Sequence, residues 1–174
     1  MNTRARFAAA LVCVAALVAS GCSDDDAGAK NDKTTTTTTT TPGYVTLPAV
    51  AVGEPSPLGE NLFATVTKVE AVELKAKGPG DVAGPGVLVT LDIRNDTTLN
   101  VNLDLIAVNA SYGAGTPASP NRGAPGPTLS GNLAPGATKT GRYGYRVPQG
   151  ETGKIVIDIQ LSSAPNIVVV DASV

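Results

Sequence analysis

Between residues 87 and 93 the chain reads Val-Leu-Val-Thr-Leu-Asp-Ile, so Val87, Val89, Leu91 and Ile93 share one parity while Thr90 and Asp92 take the other. A repeat of two places alternate side chains on opposite faces of an extended backbone, and this run therefore predicts a strand with one buried face. Similar runs cover Leu62 to Leu74, Val101 to Ala110, Thr138 to Val147, Lys154 to Leu161 and Ile167 to Val170, with a weaker one around Tyr44 to Val52. Between them lie Gly78-Pro79-Gly80, Asn95-Asp96-Thr97, Ala134-Pro135-Gly136 and Pro148-Gln149-Gly150, residues that turn the backbone or refuse ladder hydrogen bonds. No stretch after the first twenty residues carries an apolar stripe at helical spacing. About seven short strands with Gly and Pro turns predict an all-β fold, an antiparallel β-sandwich with an open barrel as the alternative. The segment Gly113 to Pro127, with four prolines and four glycines, reads as a mobile connection between sheets.

Composition narrows the chemistry. The chain has 174 residues and a formal charge of −2, and from Gly43 onward nine Lys or Arg face eleven Asp or Glu. No basic surplus is available to neutralise phosphates, so nucleic acid is not an expected partner. There is no His, the single Met is the first residue, and the two cysteines are Cys13 and Cys22. The folded part thus lacks the donors that zinc, copper, haem and iron–sulfur groups require, and neither metal nor cofactor is expected.

The first residues have a different character. Arg4 and Arg6 precede an apolar run from Phe7 to Val18, the charged and hydrophobic regions of an export signal, and too short to span a bilayer comfortably. Val18-Ala19-Ser20-Gly21-Cys22 follows, and then Ser23 and three aspartates. Small residues before a cysteine fit a signal peptidase, and the thiol is the atom that a diacylglyceryl transferase alkylates. The segment resembles a bacterial lipobox, with Ala19 where Leu is commoner. Cleavage would leave Cys22 as the lipidated first residue, with Cys13 lost in the signal. An ordinary secretory peptide with an incidental cysteine, or an uncleaved anchor, is the alternative.

Ser23 to Pro42 is nearly free of apolar residues and includes Thr34 to Thr41, eight consecutive threonines. Such a segment buries too little to offset its ordering entropy and is expected to be an extended tether. Threonines beside proline are also candidate O-glycosylation acceptors. The organisation expected is 1–21 signal peptide, 22–48 lipidated Cys22 and tether, and 49–174 β-sandwich domain. The place expected for it is the extracytoplasmic face of the cell membrane.

No reaction class finds its residues in the folded part. With no His, a nucleophile would need Lys or a carboxylate as base, and neither Ser-x-x-Lys nor Gly-x-Ser-x-Gly occurs there. Asp92, Asp104 and Asp158 fall on solvent-facing positions of predicted strands. No catalytic residues are assigned and no enzyme activity is expected.

The most unusual local pattern is Arg142-Tyr143-Gly144-Tyr145-Arg146. On a strand the arginines face one way and the tyrosines, with Val147, the other. The tyrosines are expected inward, supplying scarce aromatic bulk, although an exposed aromatic pair is the other reading. Arg142 and Arg146 then lie outside, flanking Gly144, to pair with neighbouring carboxylates or hold an anionic partner. Tyr112, beside the Gly/Pro-rich segment, is the remaining candidate contact.

The succession VLVTLDIRNDT, a strand ending in a polar loop, then LAPGATKTGRYGYRVPQG and two last strands, resembles the immunoglobulin-like domains of unknown function found in Gram-positive, especially actinobacterial, lipoproteins. Small secreted mycobacterial antigens share that sandwich. The resemblance runs from about Val50 to Val174 and rests on Asn95, Leu133-Pro135-Gly136, Gly141 and Val147-Pro148. It implies an immunoglobulin-like sandwich and a non-enzymatic extracytoplasmic module, without the Trp and Cys pair of antibody domains. The function expected is a lipid-tethered binding module for an envelope protein or a cell-wall polymer. A surface spacer without specific ligand is the alternative, and an enzyme of unfamiliar type the third reading.

Overall fold

The structure, a computed structural model, describes residues 43–174. Cys13, Cys22 and Thr34 to Thr41 lie outside the described residues. In chain order the strands are β1 (Val45–Thr46), β2 (Val50–Ala51), β3 (Ser56–Gly59), β4 (Leu62–Leu74), β5 (Gly84–Asn95), β6 (Val101–Asn102), β7 (Ile106–Tyr112), β8 (Thr116–Pro117), β9 (Ser119–Asn121), β10 (Asn132–Leu133), β11 (Thr138–Arg146), β12 (Ile155–Leu161) and β13 (Asn166–Ala172). One sheet has the order β3-β4-β5-β11-β9 and the other β1-β13-β12-β7-β8, with β2 also on β13 and a separate β6-β10 ribbon. The two sheets enclose a single core, so the protein is an all-β sandwich.

Alternation decides what the core contains. Val87, Val89, Leu91 and Ile93 of β5 face Ile155, Ile157, Ile159 and Leu161 of β12 and Val168 and Val170 of β13 in one buried cluster. Each such side chain contributes about 1.5–3 kcal/mol by leaving water. Branched aliphatic residues suit this pleated interior because their restricted side-chain torsions lose little on packing.

β4 keeps its predicted limits but changes face within them. Val66 pairs with Leu91 and Lys68 with Thr90, so Thr67 is an extra residue, a bulge. Leu62, Ala64 and Val66 point into the core before it, and Val69 packs against the core after it. The shift delivers Leu74 to the outer face, where it is buried outside the main cluster together with Leu88 of β5.

The Gly113 to Pro127 segment, expected as a connection between sheets, also covers that outer pair. It does pass from one sheet to the other, through β8 and β9, and then straps across the outside of β11. Asn121 is buried, donating through Nδ2 to the Val82 carbonyl at 3.1 Å and accepting the Gly123 N–H on Oδ1 at 2.7 Å. Gly123 abuts the Lys75 carbonyl, and a Cβ on Gly144 would lie 2.6 Å from that of Ala124. Glycine is therefore required by close backbone approach at both positions.

Three further differences have local causes. Val101 to Ala110 is not one strand: Asn102 Oδ1 accepts the Asp104 N–H at 2.9 Å and closes a 3-10 turn at Leu103–Leu105 between β6 and β7. About seven strands were expected, whereas six long strands are joined by seven shorter ones among the described residues. Finally, β1 and β2 pair with β13 in parallel, not antiparallel, register. The incoming chain thus lies along the open edge of β13, and pairing begins at Val45, within the stretch assigned to the tether.

The corner between β5 and β11 is pinned by Asn95, which is fully buried. Its Nδ2 donates to the Leu99 and Leu133 carbonyls at 2.8 and 3.0 Å, while Oδ1 accepts from the N–H and hydroxyl of Thr97 at 3.0 and 2.7 Å. Its backbone joins in, donating to Ala137 O at 2.9 Å and accepting from Gly136 N–H at 2.6 Å. Gly136 turns there at φ +73°, a conformation that only glycine adopts readily.

Candidate functional site

The tyrosines of β11 face inward. Tyr145 is buried and its hydroxyl donates to the Val108 carbonyl of β7 at 2.6 Å, tying one sheet to the other across the core. Burial, and secondarily the neighbouring Tyr143, drives this phenol well above its ordinary pKa. Tyr143 is half-buried and accepts the Leu129 N–H at 3.3 Å, and burial also raises its pKa, opposed by that bond.

The arginines face outward but form no joint site. Gly144 between them is buried beneath Ala124, and Arg142 lines with Arg122 and Asn121 of the strap a hollow of about 140 Å³ that does not include Arg146. Arg142 is exposed and its aliphatic stem lies on Gly126. Arg146 is half-buried and donates from a guanidinium nitrogen to the Ala83 carbonyl at 2.8 Å. Tyr112 belongs to the other sheet and packs partly against the core. The three candidate contacts are thus separate positions, with the strap lying between Arg142 and Arg146 on the outer face of β11.

The carboxylates are dispersed as well. Asp92 accepts the Thr140 hydroxyl at 2.6 Å on the outer face, and Asp104, placed on the 3-10 turn and not on a strand, accepts the Gly131 N–H at 3.0 Å. Asp158 lies on the outside of β12 between Asn109 and Val169, and partial burial raises its pKa. A raised folded pKa means that stability is greatest below the unfolded carboxylate value and falls as pH rises through the folded one. Asp158→Asn is therefore expected to raise the melting temperature at pH 7 and leave it unchanged near pH 3. The carboxylate is only partly withdrawn from water, so the gain should stay below about 1 kcal/mol. A calorimetric scan at the two pH values checks it, and a loss at pH 7 would contradict the sign.

Reasoning from sequence missed the most distinctive surface. Leu99 is 74% exposed, Val45 56%, Tyr44 47% and Leu105 45%. Chain order scatters these residues, but the fold gathers them at one end of the sandwich. The Val45 N–H donates to the Pro165 carbonyl at 2.8 Å, and the Ser162 N–H to the Leu105 carbonyl at 3.2 Å. Leu99, Leu105, Ala164 and Pro165 line a cleft of about 460 Å³ floored by Leu62 and Leu161. An adjoining hollow shares Ala164 and Pro165 and continues to Gly43 and Tyr44. The signal in the sequence is Leu99 itself, the one aliphatic residue in the polar stretch Asn95 to Asn100. These exposed apolar side chains stand among the polar Glu60, Thr97, Asn100, Asn102, Ser162 and Ser163, a mixed surface of the kind that can serve as an interaction site.

Two facing sheets, their strand order and an aliphatic interior define an immunoglobulin-like β-sandwich. No family model matches the chain, and no curated protein does. Among solved structures it is similar to the yjhA protein of Bacillus subtilis, at 17% identity and a TM-score of 0.58, covering 69% of this chain and 97% of that one. It is also similar to MPT63, a secreted protein of Mycobacterium tuberculosis, at 13% identity and a TM-score of 0.53, covering 72% and 96%. At these identities the likeness establishes the fold alone.

Proposed function

We propose that the protein is a bacterial lipoprotein, held at the outer face of the cell membrane through Cys22, whose sandwich is a non-enzymatic binding module for another component of the envelope. The observation supporting the binding reading is the apolar end built by Tyr44, Val45, Leu99 and Leu105. A spacer without ligand has no need to gather apolar side chains, which lower solubility. Wall polymers present hydroxyls, amides and charges, and match such a surface less well than a protein or a lipid. An anchor would confine the module and raise its effective concentration at the membrane.

The anchor is tested by the intact mass of the full-length protein and of Cys22→Ala, isolated from an actinobacterial host. The expected result is a lipid-sized increment on the membrane-bound wild type, absent from the variant. Equal masses and equal partitioning would sink the anchor and leave a freely secreted or signal-anchored domain.

A further inference from the structure

We propose that the apolar end of the sandwich is a bilayer-docking surface, on which Leu99, Leu105, Val45 and Tyr44 rest at the boundary between lipid headgroups and acyl chains. This rests on the anchored reading above and names what the apolar end meets.

The place where the chain enters the domain singles out lipid among the possible occupants. Gly43 and Tyr44 line the hollow that continues the Leu99 cleft, so the residues leading back to Cys22 leave the domain from this very surface. The tether from Ser23 to Pro42 is 20 residues long. Even fully stretched, 20 residues reach no more than about 65–70 Å. A domain held so closely returns its attached end to the bilayer continually, at an effective concentration in the millimolar range. A surface too small to capture lipid from solution is then large enough to dock.

The chemistry agrees. Leu99 stands clear of its neighbours at 74% exposure, free to enter the acyl boundary. Tyr44 offers an aromatic body with a polar tip, the combination that suits a membrane interface. The cleft lining has no Lys or Arg, and its polar members are Glu60, Thr97, Asn100, Asn102 and Ser163. Attraction to anionic headgroups is therefore not the driving term: the leucines insert while the uncharged polar groups meet the headgroup layer. The opposite end provides an internal contrast. Val82 is 62% exposed but precedes β5, whereas Leu99 follows it, and a strand of twelve residues separates them by about 40 Å.

The sequence contains no Trp, so a single indole reports each end. Full-length lipidated Leu99→Trp and Val82→Trp are reconstituted in phosphatidylcholine vesicles with and without brominated acyl chains. Wild-type melting temperatures for both variants establish that the fold is kept. The expected result is a blue-shifted emission and loss of most of the fluorescence to brominated lipid for Leu99→Trp, with Val82→Trp unaffected. Equal quenching at both ends, or none at Leu99→Trp, overturns docking. So does an unquenched Leu99→Trp whose position cross-links to an envelope protein in cells, although binding itself then stands. Should the intact mass show an unmodified Cys22, the anchored reading fails separately. Docking is then read on the same two variants with the Cys22 thiol coupled to a maleimide phospholipid in the vesicle, where the same quenching pattern supports it and its absence overturns it.

Discussion

Asn95→Ala is expected to destabilise the domain by about 2–4 kcal/mol, roughly a 10 °C fall in melting temperature for a domain of this size. The asparagine is fully buried and its side chain serves four polar partners: two carbonyls, an N–H and a hydroxyl. Alanine removes both donated bonds, to the Leu99 and the buried Leu133 carbonyls, and both accepted ones, from the Thr97 N–H and hydroxyl. The loss is large because a buried group left unpaired keeps its full desolvation cost. Asn95→Asp should be as damaging at neutral pH and recover on acidification, since only the protonated carboxyl can donate and burial favours the neutral form. Denaturant titration of the three proteins at pH 7 and pH 4 separates these outcomes. A change below about 0.5 kcal/mol for Asn95→Ala would mean that the corner is not held as described.

The second large effect is expected at Ile157, fully buried on the central strand β12. Its cross-strand partners are Val170 and Ala110, and the alanine side offers no bulk that can move into a void. Ile157→Ala should therefore cost about 2–5 kcal/mol, with the upper part of the range favoured by poor collapse. Val156→Ala, one residue away and on the half-buried outer face, provides the contrast and should cost less than about 1 kcal/mol. Comparable midpoints for the two variants in a chemical unfolding curve would contradict the assignment of inner and outer faces.

The contrast between those neighbours is the part of the fold that sequence states most directly. Strict alternation made β5 and β12 legible, and the limits of β4 at Leu62 and Leu74 were read correctly. The bulge at Thr67 was not, because an inserted residue leaves the composition of a run unchanged while exchanging its faces. The burial of Leu74 and Leu88 was hidden for a related reason. Their cover is a segment rich in Gly and Pro, whose contribution is close backbone approach at Gly123 and Gly144 and not apolar bulk. Tyr143 and Tyr145 were read inward from the parity they share with Val147, which holds. Arg142 and Arg146 lie on the outer face, as their parity predicts, whereas the strap that passes between them and brings Arg122 beside Arg142 is a product of tertiary structure. The apolar end was illegible as a surface because Tyr44, Leu99, Leu105 and Pro165 meet through turns at opposite limits of several strands.

The parallel pairing of β1 and β2 with β13 bears on mechanics. Any pull transmitted through Gly43 arrives first at β1, whose pairing to β13 spans only Val45 and Thr46, and next at β2, which pairs through Val50 and Ala51. Both lie at the edge of their sheet, with Leu47 and Val50 only partly buried against the core. Under load these two short contacts should yield in sequence before β13 is disturbed, releasing the stretch up to Gly53 as roughly 30 Å of additional chain. If the chain is held through Cys22 as proposed, that added length would absorb strain while the sandwich stays folded.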